Sequence, residues 1–351
     1  MKILYGVQGT GNGHLSRAIE LLPEFQKYGT VDILISGEKN LLPLPFEVKY
    51  RFKGLTIGMN DKGKLSFSRT FAQNHLRPFI HEIRQINIEK YDVVISDFEP
   101  LTAWSSLMKN KECVGIGNQF SMMHPNVPVP PEDRKFARFI TENLVPVTDS
   151  IGIHYEAYHS QIETPIISRE IKNMKTDDQG FILVYLPAHD PNYIALVAKS
   201  LRNQQFQWRI FTPFVKNVVQ FSSRIVFQPL SRIEFQKSLS NCSAVISAAG
   251  FGLTSEALYL GKKICAIPIK KHFEQECNAA ALKRLGVYIL PSLNLKYASD
   301  LDFWLSSVLP VKLNYEDNSK SIVDKALCLA QKLEFTAEKD PVKKKFLSLI
   351  V

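Results

Sequence analysis

The sequence predicts an α/β protein built from two Rossmann-like, doubly wound domains. Three observations carry this. Short apolar runs suited to buried parallel strands alternate with amphipathic helical stretches along nearly the whole chain. The alternation starts at Ile3 and starts again after Gly180, with residues 164–166 and the polar run 172–179 reading as a linker. The chain has 351 residues, enough to bury two cores. Domains are expected at 1–165 and 180–320, followed by a C-terminal helix and a basic-apolar tail over 321–351.

Taken in order, residues 3–7 form a strand. The Gly-rich loop Gln8-Gly9-Thr10-Gly11-Asn12-Gly13-His14 follows it. A helix is expected over 15–28, where Leu15, Ala18, Ile19, Leu22 and Phe25 share one face. Residues 31–36 are a second strand, 43–64 a mixed section of turns and short apolar stretches, and 71–88 a helix despite Pro78. A buried strand over 92–96 ends at Asp97-Phe98-Glu99-Pro100, and a helix over 101–108 and a strand over 113–117 come next. Pro125, Pro128, Pro130 and Pro131 exclude a regular helix or central strand over 122–132. A helix over 134–144 and a short strand over 150–154 complete the first half. The second half opens with a strand over 181–186, ending at Pro187-Ala188-His189, and a helix over 192–201. Strands over 207–211 and 225–227 and a helix over 233–240 follow, and further helices are expected over 301–309 and 319–333.

Composition narrows the class. Hydrophobic residues at 45% and charged residues at 22% are ordinary globular values. The cysteines, Cys113, Cys242, Cys265, Cys277 and Cys328, are scattered and odd in number, without a CxxC pair, so neither a zinc site nor a disulfide framework is expected. That usage fits a reducing cytoplasm. No apolar run approaches ~18 residues, and no signal peptide precedes the first strand. The net charge of +9 suits either nucleic acid or an anionic membrane surface. A solvated basic surface explains it equally, and no nucleic-acid-binding signature is present. The tail places Lys343-Lys344-Lys345 beside Phe346, Leu347, Leu349 and Ile350. Peripheral membrane contact is one reading of it, and a terminal helix docking on the domains is the other.

The stretch 244–285 is the densest in chemistry. A strand over 244–246 runs into a small-residue turn, Ser247 to Gly252. A helix over 253–260 stops at Gly261, a strand covers 264–269, and a polar loop over 270–276 leads into another helix. Ala249-Gly250-Phe251-Gly252 opens a helix, so backbone N–H groups and the positive helix end form an anion site that glycines leave open to a phosphate. Glu256, about one turn inside, is placed to take the two hydroxyls of a ribose. Glu274 and Gln275 lie just past a strand end, where open α/β sheets hold ligands. Together these groups suit a diphosphate, a ribose and a polyhydroxylated group. An ordinary βαβαβ unit with a Gly turn has the same outline.

Here the residues resemble a family. Gly250-Phe251-Gly252-x-Thr254-x-Glu256-Ala257-Leu258, then Gly261-Lys262, Pro268 and Glu274-Gln275-x-x-Asn278-Ala279 resemble the donor-sugar region of GT-B glycosyltransferases. The likeness is to UDP-sugar transferases and the peptidoglycan N-acetylglucosaminyltransferase group. It implies that the turn from Ser247 through Gly250, Phe251 and Gly252, with Thr254, holds the diphosphate. Glu256 then binds ribose, and Glu274, Gln275 and Asn278 hold the sugar. The pair is Glu-Gln where the family has Asp-Gln or Gln-Gln. Ala248 stands where many UDP-sugar transferases place a phosphate-binding His, so phosphate binding must rest on backbone N–H groups or a basic group elsewhere; His189 is one candidate, while His272 reads as solvated.

The loop 9–14 has GxGxG spacing but lacks an acidic residue in register for a dinucleotide site, Glu38 being a loose candidate. It resembles instead the Gly-rich loop of the peptidoglycan transferase group, which implies that His14 removes a proton from an acceptor hydroxyl. Asp97 is the carboxylate expected to orient it. Helix capping is the plainer role for each of the two. Gly11, Asn12, Gly13, Asn118 and Gln119, with His124, are candidates to line the acceptor site; a surface loop explains the last three as well. The resemblance implies a nucleotide-sugar co-substrate, with UDP the expected carrier, and neither cofactor nor metal. A UDP-sugar 2-epimerase of the same fold, drawing on Asp97, Glu99 and Glu256, and a non-catalytic nucleotide-sugar-binding protein are the rivals.

Overall fold

The computed structural model describes residues 1–37, 44–55 and 76–334. They fall into two units: Met1–Val127 with Pro131–Ile166 and the chain from Asp317, and Pro128–Pro130 with Ile167–Glu316. The expected boundary at 320/321 lies two residues inside a helix that the structure places wholly in the first unit.

The first unit alternates strands and helices: β1 (Lys2–Gln8), α1 (Asn12–Gln26), β2 (Thr30–Ser36), β3 (Tyr50–Phe52), α2 (Leu76–Gln85), β4 (Val93–Asp97), α3 (Pro100–Met108), β5 (Val114–Gly117), α4 (Asn118–Ser121), α5 (Pro131–Leu144), β6 (Asp149–Ile153) and β7 (Ile162–Glu163). The strands pair in parallel in the order β3-β2-β1-β4-β5-β6-β7. The order reverses between β1 and β4, so the loops leaving their C-terminal ends diverge and open a crevice. On one face Leu4, Val94, Leu101 and Trp104 form the core with Phe79 and Ile83 of α2. α1 buries Leu15, Ala18, Leu22 and Phe25 as the sequence spacing predicts, with Leu21 in place of the expected Ile19, which is only half-buried. It starts three residues before the expected Leu15, which puts His14 in its first turn.

The second unit holds α6 (Arg169–Lys172), β8 (Phe181–Tyr185), α7 (Pro191–Ser200), β9 (Gln207–Phe211), β10 (Val219–Ser222), β11 (Ile225–Gln228), α8 (Arg232–Asn241), β12 (Ala244–Ser247), α9 (Phe251–Tyr259), β13 (Lys263–Ala266), α10 (Phe273–Arg284), β14 (Tyr288–Ile289) and α11 (Ala298–Ser307). Its strand order is β10-β11-β9-β8-β12-β13-β14, parallel except for the β10–β11 hairpin. The order reverses between β8 and β12. Ile182, Val184, Ile210, Ile246 and Trp304 centre the core, and the Trp304 indole donates to the Ile264 carbonyl at 3.1 Å. α12 (Ser319–Glu334) returns to the first unit, where Tyr28 bonds Asp324 and Lys325 pairs with Glu163 at 2.5 Å.

Several expectations shift. β10 is an edge strand that the sequence did not signal, because its residues are mostly exposed and carry no alternation. α5 begins at Pro131 rather than 134, since proline fits the first helical position. β13 ends at Ala266 rather than 269, and α10 begins at Phe273, so Glu274 and Gln275 belong to a helical first turn and not to a loop. Four of the five free thiols are buried, and Cys328 is exposed. Among the described residues no helix is long and apolar enough to cross a membrane. The tail with Lys343 to Lys345, and Glu38, lie outside the described residues.

Candidate functional site

In the first unit β1 and β4 end side by side at the point of strand reversal, with Val7 opposite Asp97. α1 starts at Gly11 in an extended conformation without a side-chain cap. Its first turn carries His14, whose Nδ1 lies 2.7 Å from Asp97 Oδ1. Phe98, the next residue along, has φ +48, a left-handed conformation that costs a bulky residue energy. That turn separates two acidic side chains. Asp97 goes toward α1, while Glu99 folds under α3 and caps it, accepting from Leu101 N and Thr102 N at 2.7 Å each and from the Thr102 and Ser36 hydroxyls. The cap of this helix is thus Glu99 and not Asp97, and Glu99 is a saturated, fully buried group with no free oxygen for chemistry.

Asp97 has 0% exposure and a full set of donors. The Tyr5 hydroxyl donates to Oδ2 at 3.0 Å, Arg17 Nε donates to Oδ2 at 2.8 Å, and Arg17 Nη2 donates to Oδ1. Burial alone would raise its pKa. The Arg17 charge and hydrogen bond, with the His14 bond, outweigh burial and hold the carboxyl below its ordinary range. Burial followed by the Asp97 charge raises the Tyr5 phenol in turn. The carboxylate therefore stays ionised and can only accept, so a bond from Nδ1 to Oδ1 requires that nitrogen to carry the proton, while Arg17 Nη2, a donor, stands 2.9 Å from the same nitrogen. The Phe98 ring stacks beside the imidazole, centroids 6.4 Å apart. Asn118 is buried at the start of α4, donating to the Ile153 carbonyl at 3.1 Å, and Gln119 follows it at the C-terminal end of β5, so neither sits in the surface loop weighed above.

In the second unit β12 ends at Ser247, and Gly250 caps α9 without a side-chain bond. α3, α6, α7 and α8, by contrast, are capped by Glu99, Ser168, Asp190 and Ser231. Thr254 and Asn278 support the turn from behind. Thr254 Oγ1 donates to the Gly250 carbonyl at 2.7 Å, and Asn278 Nδ2 donates to the Ala249 carbonyl at 3.0 Å. Gln275 Oε1 accepts from Ile269 N at 2.9 Å and pins the loop before α10. Glu274 projects from the same helical turn. Ser247 Oγ, Asn278 Oδ1 and the Nδ1 atoms of His189 and His272 are buried without a partner. Pairing of the neighbouring strands β8, β12 and β13 brings Ser247 and the two histidines to one sheet end, and Asn278 of α10 joins them through its bond to the Ala249 carbonyl. Orphaned polar atoms cost about 1–3 kcal/mol each, and a cluster of them at a helix mouth suits a polar ligand.

Glu256 lies one turn inside α9, and among the described residues its carboxylate has no hydrogen bond. Burial pushes its pKa up to about 7, opposed by the Arg232 charge and aided by that of Glu170. The glycines complete the picture. A Cβ on Gly11, Gly13, Gly250 or Gly252 would meet nothing within 4 Å, and none of the four has a left-handed φ. Gly6, by contrast, is required by packing, since a Cβ there would lie 2.5 Å from Thr102.

Sequence reasoning missed Arg17, whose only signal is its i+3 spacing from His14. It also held that the chain has no Asp-x-Asp triplet, which Asp300-Leu301-Asp302 corrects. That triplet is structural: Leu301 is core, and Asp302 accepts from Arg202 N and Asn203 N at 2.9 Å each. Among the described residues no group of three His, Cys, Asp or Glu side chains is placed to hold a metal ion.

Comparison with known proteins follows this geometry. The model of the family described as glycosyl transferase family 1 matches residues 1–307. Similar solved structures include the glycosyltransferase SnogD from Streptomyces nogalater, with TM-score 0.53 and 14% identity, covering 94% of this chain and 99% of that one. UGT2 of Phytolacca americana, complexed with UDP-2-fluoro-glucose and pterostilbene, has TM-score 0.57 and 12% identity, covering 99% and 98%. The spinosyn rhamnosyltransferase SpnG, complexed with thymidine diphosphate, has TM-score 0.57 and 14% identity, covering 95% and 96%. At such identities the likeness shows the fold, the two Rossmann-like domains of GT-B transferases. No curated protein sequence matches the chain.

Proposed function

The chain belongs to glycosyl transferase family 1, and from that premise we propose that it moves a sugar from a nucleoside diphosphate sugar, with UDP as carrier, to an acceptor hydroxyl. The observation that carries this reading is the four glycines at the mouths of α1 and α9. Neither backbone conformation nor packing within the fold requires them, so the space above both helix starts is kept clear for something that approaches the backbone.

In the second unit the diphosphate meets the N-terminal end of α9, with Ser247 beneath it. The half-buried imidazoles of His189 and His272 take the place of the His absent at Ala248; burial lowers the His189 pKa, so it donates as a neutral ring. Glu256 takes the ribose hydroxyls, which supply the hydrogen bonds its carboxylate lacks. Glu274 and Gln275 face the sugar. In the first unit Gly11, Asn12, Gly13, Asn118 and Gln119 border the acceptor. His14 Nε2 accepts the acceptor proton as the oxygen bonds to the anomeric carbon, and the bond from that carbon to the diphosphate breaks with its electron pair leaving on UDP. One displacement inverts the anomeric centre. Charge growing on the departing diphosphate is met by backbone N–H groups, so the reaction proceeds without a metal or cofactor. An epimerase needs free carboxylates, and Asp97 and Glu99 are fully engaged.

Calorimetric titration with UDP, TDP, GDP and their sugars tests the reading, followed by assay of UDP release from the tightest donor. Binding of a nucleoside diphosphate with acceptor-stimulated release supports it. Binding to none of the panel overturns it, inversion at sugar C2 returns the epimerase, and binding without turnover leaves a nucleotide-sugar-binding protein.

A further inference from the structure

Arg17 follows His14 by three residues on α1, so both side chains leave the same helix face. Its guanidinium holds Asp97 with two arms, Nε on Oδ2 at 2.8 Å and Nη2 on Oδ1. The Arg17 side chain is only 10% exposed. Oδ1 is shared: it also faces His14 Nδ1 at 2.7 Å, and Arg17 Nη2 stands 2.9 Å from that same nitrogen. The groups facing the imidazole are therefore Asp97 from β4, Arg17 from α1 and, through Asp97, the Tyr5 hydroxyl from β1.

A carboxylate alone beside a histidine does two things. It fixes the tautomer, and it favours the imidazolium. The second effect works against a base, which must be neutral before it acts. A planar guanidinium bidentate on the same carboxylate separates the two, because it clamps the oxygens in place while compensating their charge.

We infer that Arg17 is a positioning residue for the His14 base, holding Asp97 in one orientation and cancelling its charge, so that His14 receives its tautomer without being driven into the protonated form. This rests on the reading of His14 as base, but its test needs no substrate. The chain has 8 histidines, and ring ¹⁵N labelling with long-range ¹H–¹⁵N spectra resolves them, His14 being assigned by its loss in His14→Gln. The unsubstituted chain should show the Nδ1–H tautomer. Arg17→Met should move the His14 titration midpoint upward by about one pH unit or more. A folded Arg17→Met protein with an unmoved or lowered midpoint overturns the inference. Arg17→Met leaves a buried carboxylate and can fail to fold, so the contrast is repeated where that charge is absent. Asp97→Asn should lower the midpoint, and adding Arg17→Met to it should raise the midpoint again; no rise overturns the inference equally. The outcomes separate the two readings. A midpoint shift with a His14→Ala protein that still transfers sugar removes the base and keeps Arg17's action on His14. No shift with an inactive His14→Ala protein keeps the base and removes Arg17.

Discussion

The mouths of α1 and α9 both lie where their sheet reverses order, α1 after the strand before the reversal (β1) and α9 after the strand beyond it (β12), and they are built in opposite ways. Around α1 nearly every polar group already has its partner: Tyr5, Arg17 and His14 converge on one buried carboxylate. Around α9 the polar groups wait: Ser247 Oγ and Asn278 Oδ1 are unpartnered among the described residues. A group that moves a proton must be oriented in advance, because misplacement costs rate. A group that binds a ligand gains most by leaving its bonds for that ligand to complete. On the proposed reading the wired mouth serves the chemistry and the unfilled mouth the donor.

The largest expected effect breaks the comparison at its wired end. His14→Ala should lower transfer by ~10²–10⁴, the usual contribution of a positioned acid–base group. Binding of UDP, measured by calorimetry, should stay unchanged. A folded His14→Ala protein transferring at near the original rate would mean that the network around Asp97 is structural only.

Glu256 is the corresponding point at the unfilled end. Glu256→Ala should weaken UDP-sugar binding by about 1.5–3 kcal/mol, the range for a hydrogen bond to a charged group. The pKa near 7 adds a pH signature. Ribose hydroxyls donate, so the ionised form binds, and UDP-sugar affinity should rise from about pH 6 and level off by about pH 8. The intrinsic stability runs the other way. The folded-state value is raised, so this group's contribution is present below the ordinary carboxylate range and is lost as pH rises through about 7. Glu256→Gln should flatten the affinity profile. An unaltered profile in that variant removes Glu256 from the ribose.

The two mouths also differ in how far they were legible in the sequence. Periodicity gave both sheets, because buried parallel strands are continuous apolar runs, and the glycines with Glu256, Glu274 and Gln275 marked the α9 mouth directly. The network at α1 was half legible. His14 stands out beside its glycines, and Asp97 at a strand end, but Arg17 reads as one more surface cation on an amphipathic helix. Only the fold shows that its turn faces β4. Asp97 was singled out to orient His14, but the sequence did not show what Glu99, two residues on, does; a single left-handed residue, Phe98, sends them to different tasks, and no local sequence rule marks a phenylalanine for that conformation.

A sharper test of the unfilled mouth uses its glycines. Gly252 is exposed within α9 and a Cβ there meets nothing. Gly252→Ala should therefore stabilise the fold by about 0.5–1 kcal/mol, the helical preference for alanine. The same methyl group should weaken UDP binding about tenfold, roughly 1.4 kcal/mol, by holding a phosphate off the backbone. Urea unfolding and calorimetry on one preparation read both. Gains in stability with unchanged UDP affinity would make the glycine an accident of the turn.

The smallest effect concerns Gln275, the side chain that belongs partly to each kind of mouth. Its Oε1 accepts from Ile269 N at 2.9 Å, and on the proposed reading its amide nitrogen is the end left for a sugar hydroxyl. Loss of the backbone bond costs about 0.5–1.5 kcal/mol of stability wherever the ligand sits. Loss of the amide donor matters only to a ligand that carries the sugar. Gln275→Ala should therefore lower the urea midpoint slightly and weaken UDP-sugar binding while leaving free UDP nearly unaffected. Gln275→Glu separates the two roles further, because it retains an oxygen for Ile269 N and removes the donor. That variant should recover most of the stability and none of the sugar discrimination. Equal losses for UDP and UDP-sugar in both variants would assign Gln275 to the loop alone and leave sugar recognition to Glu274.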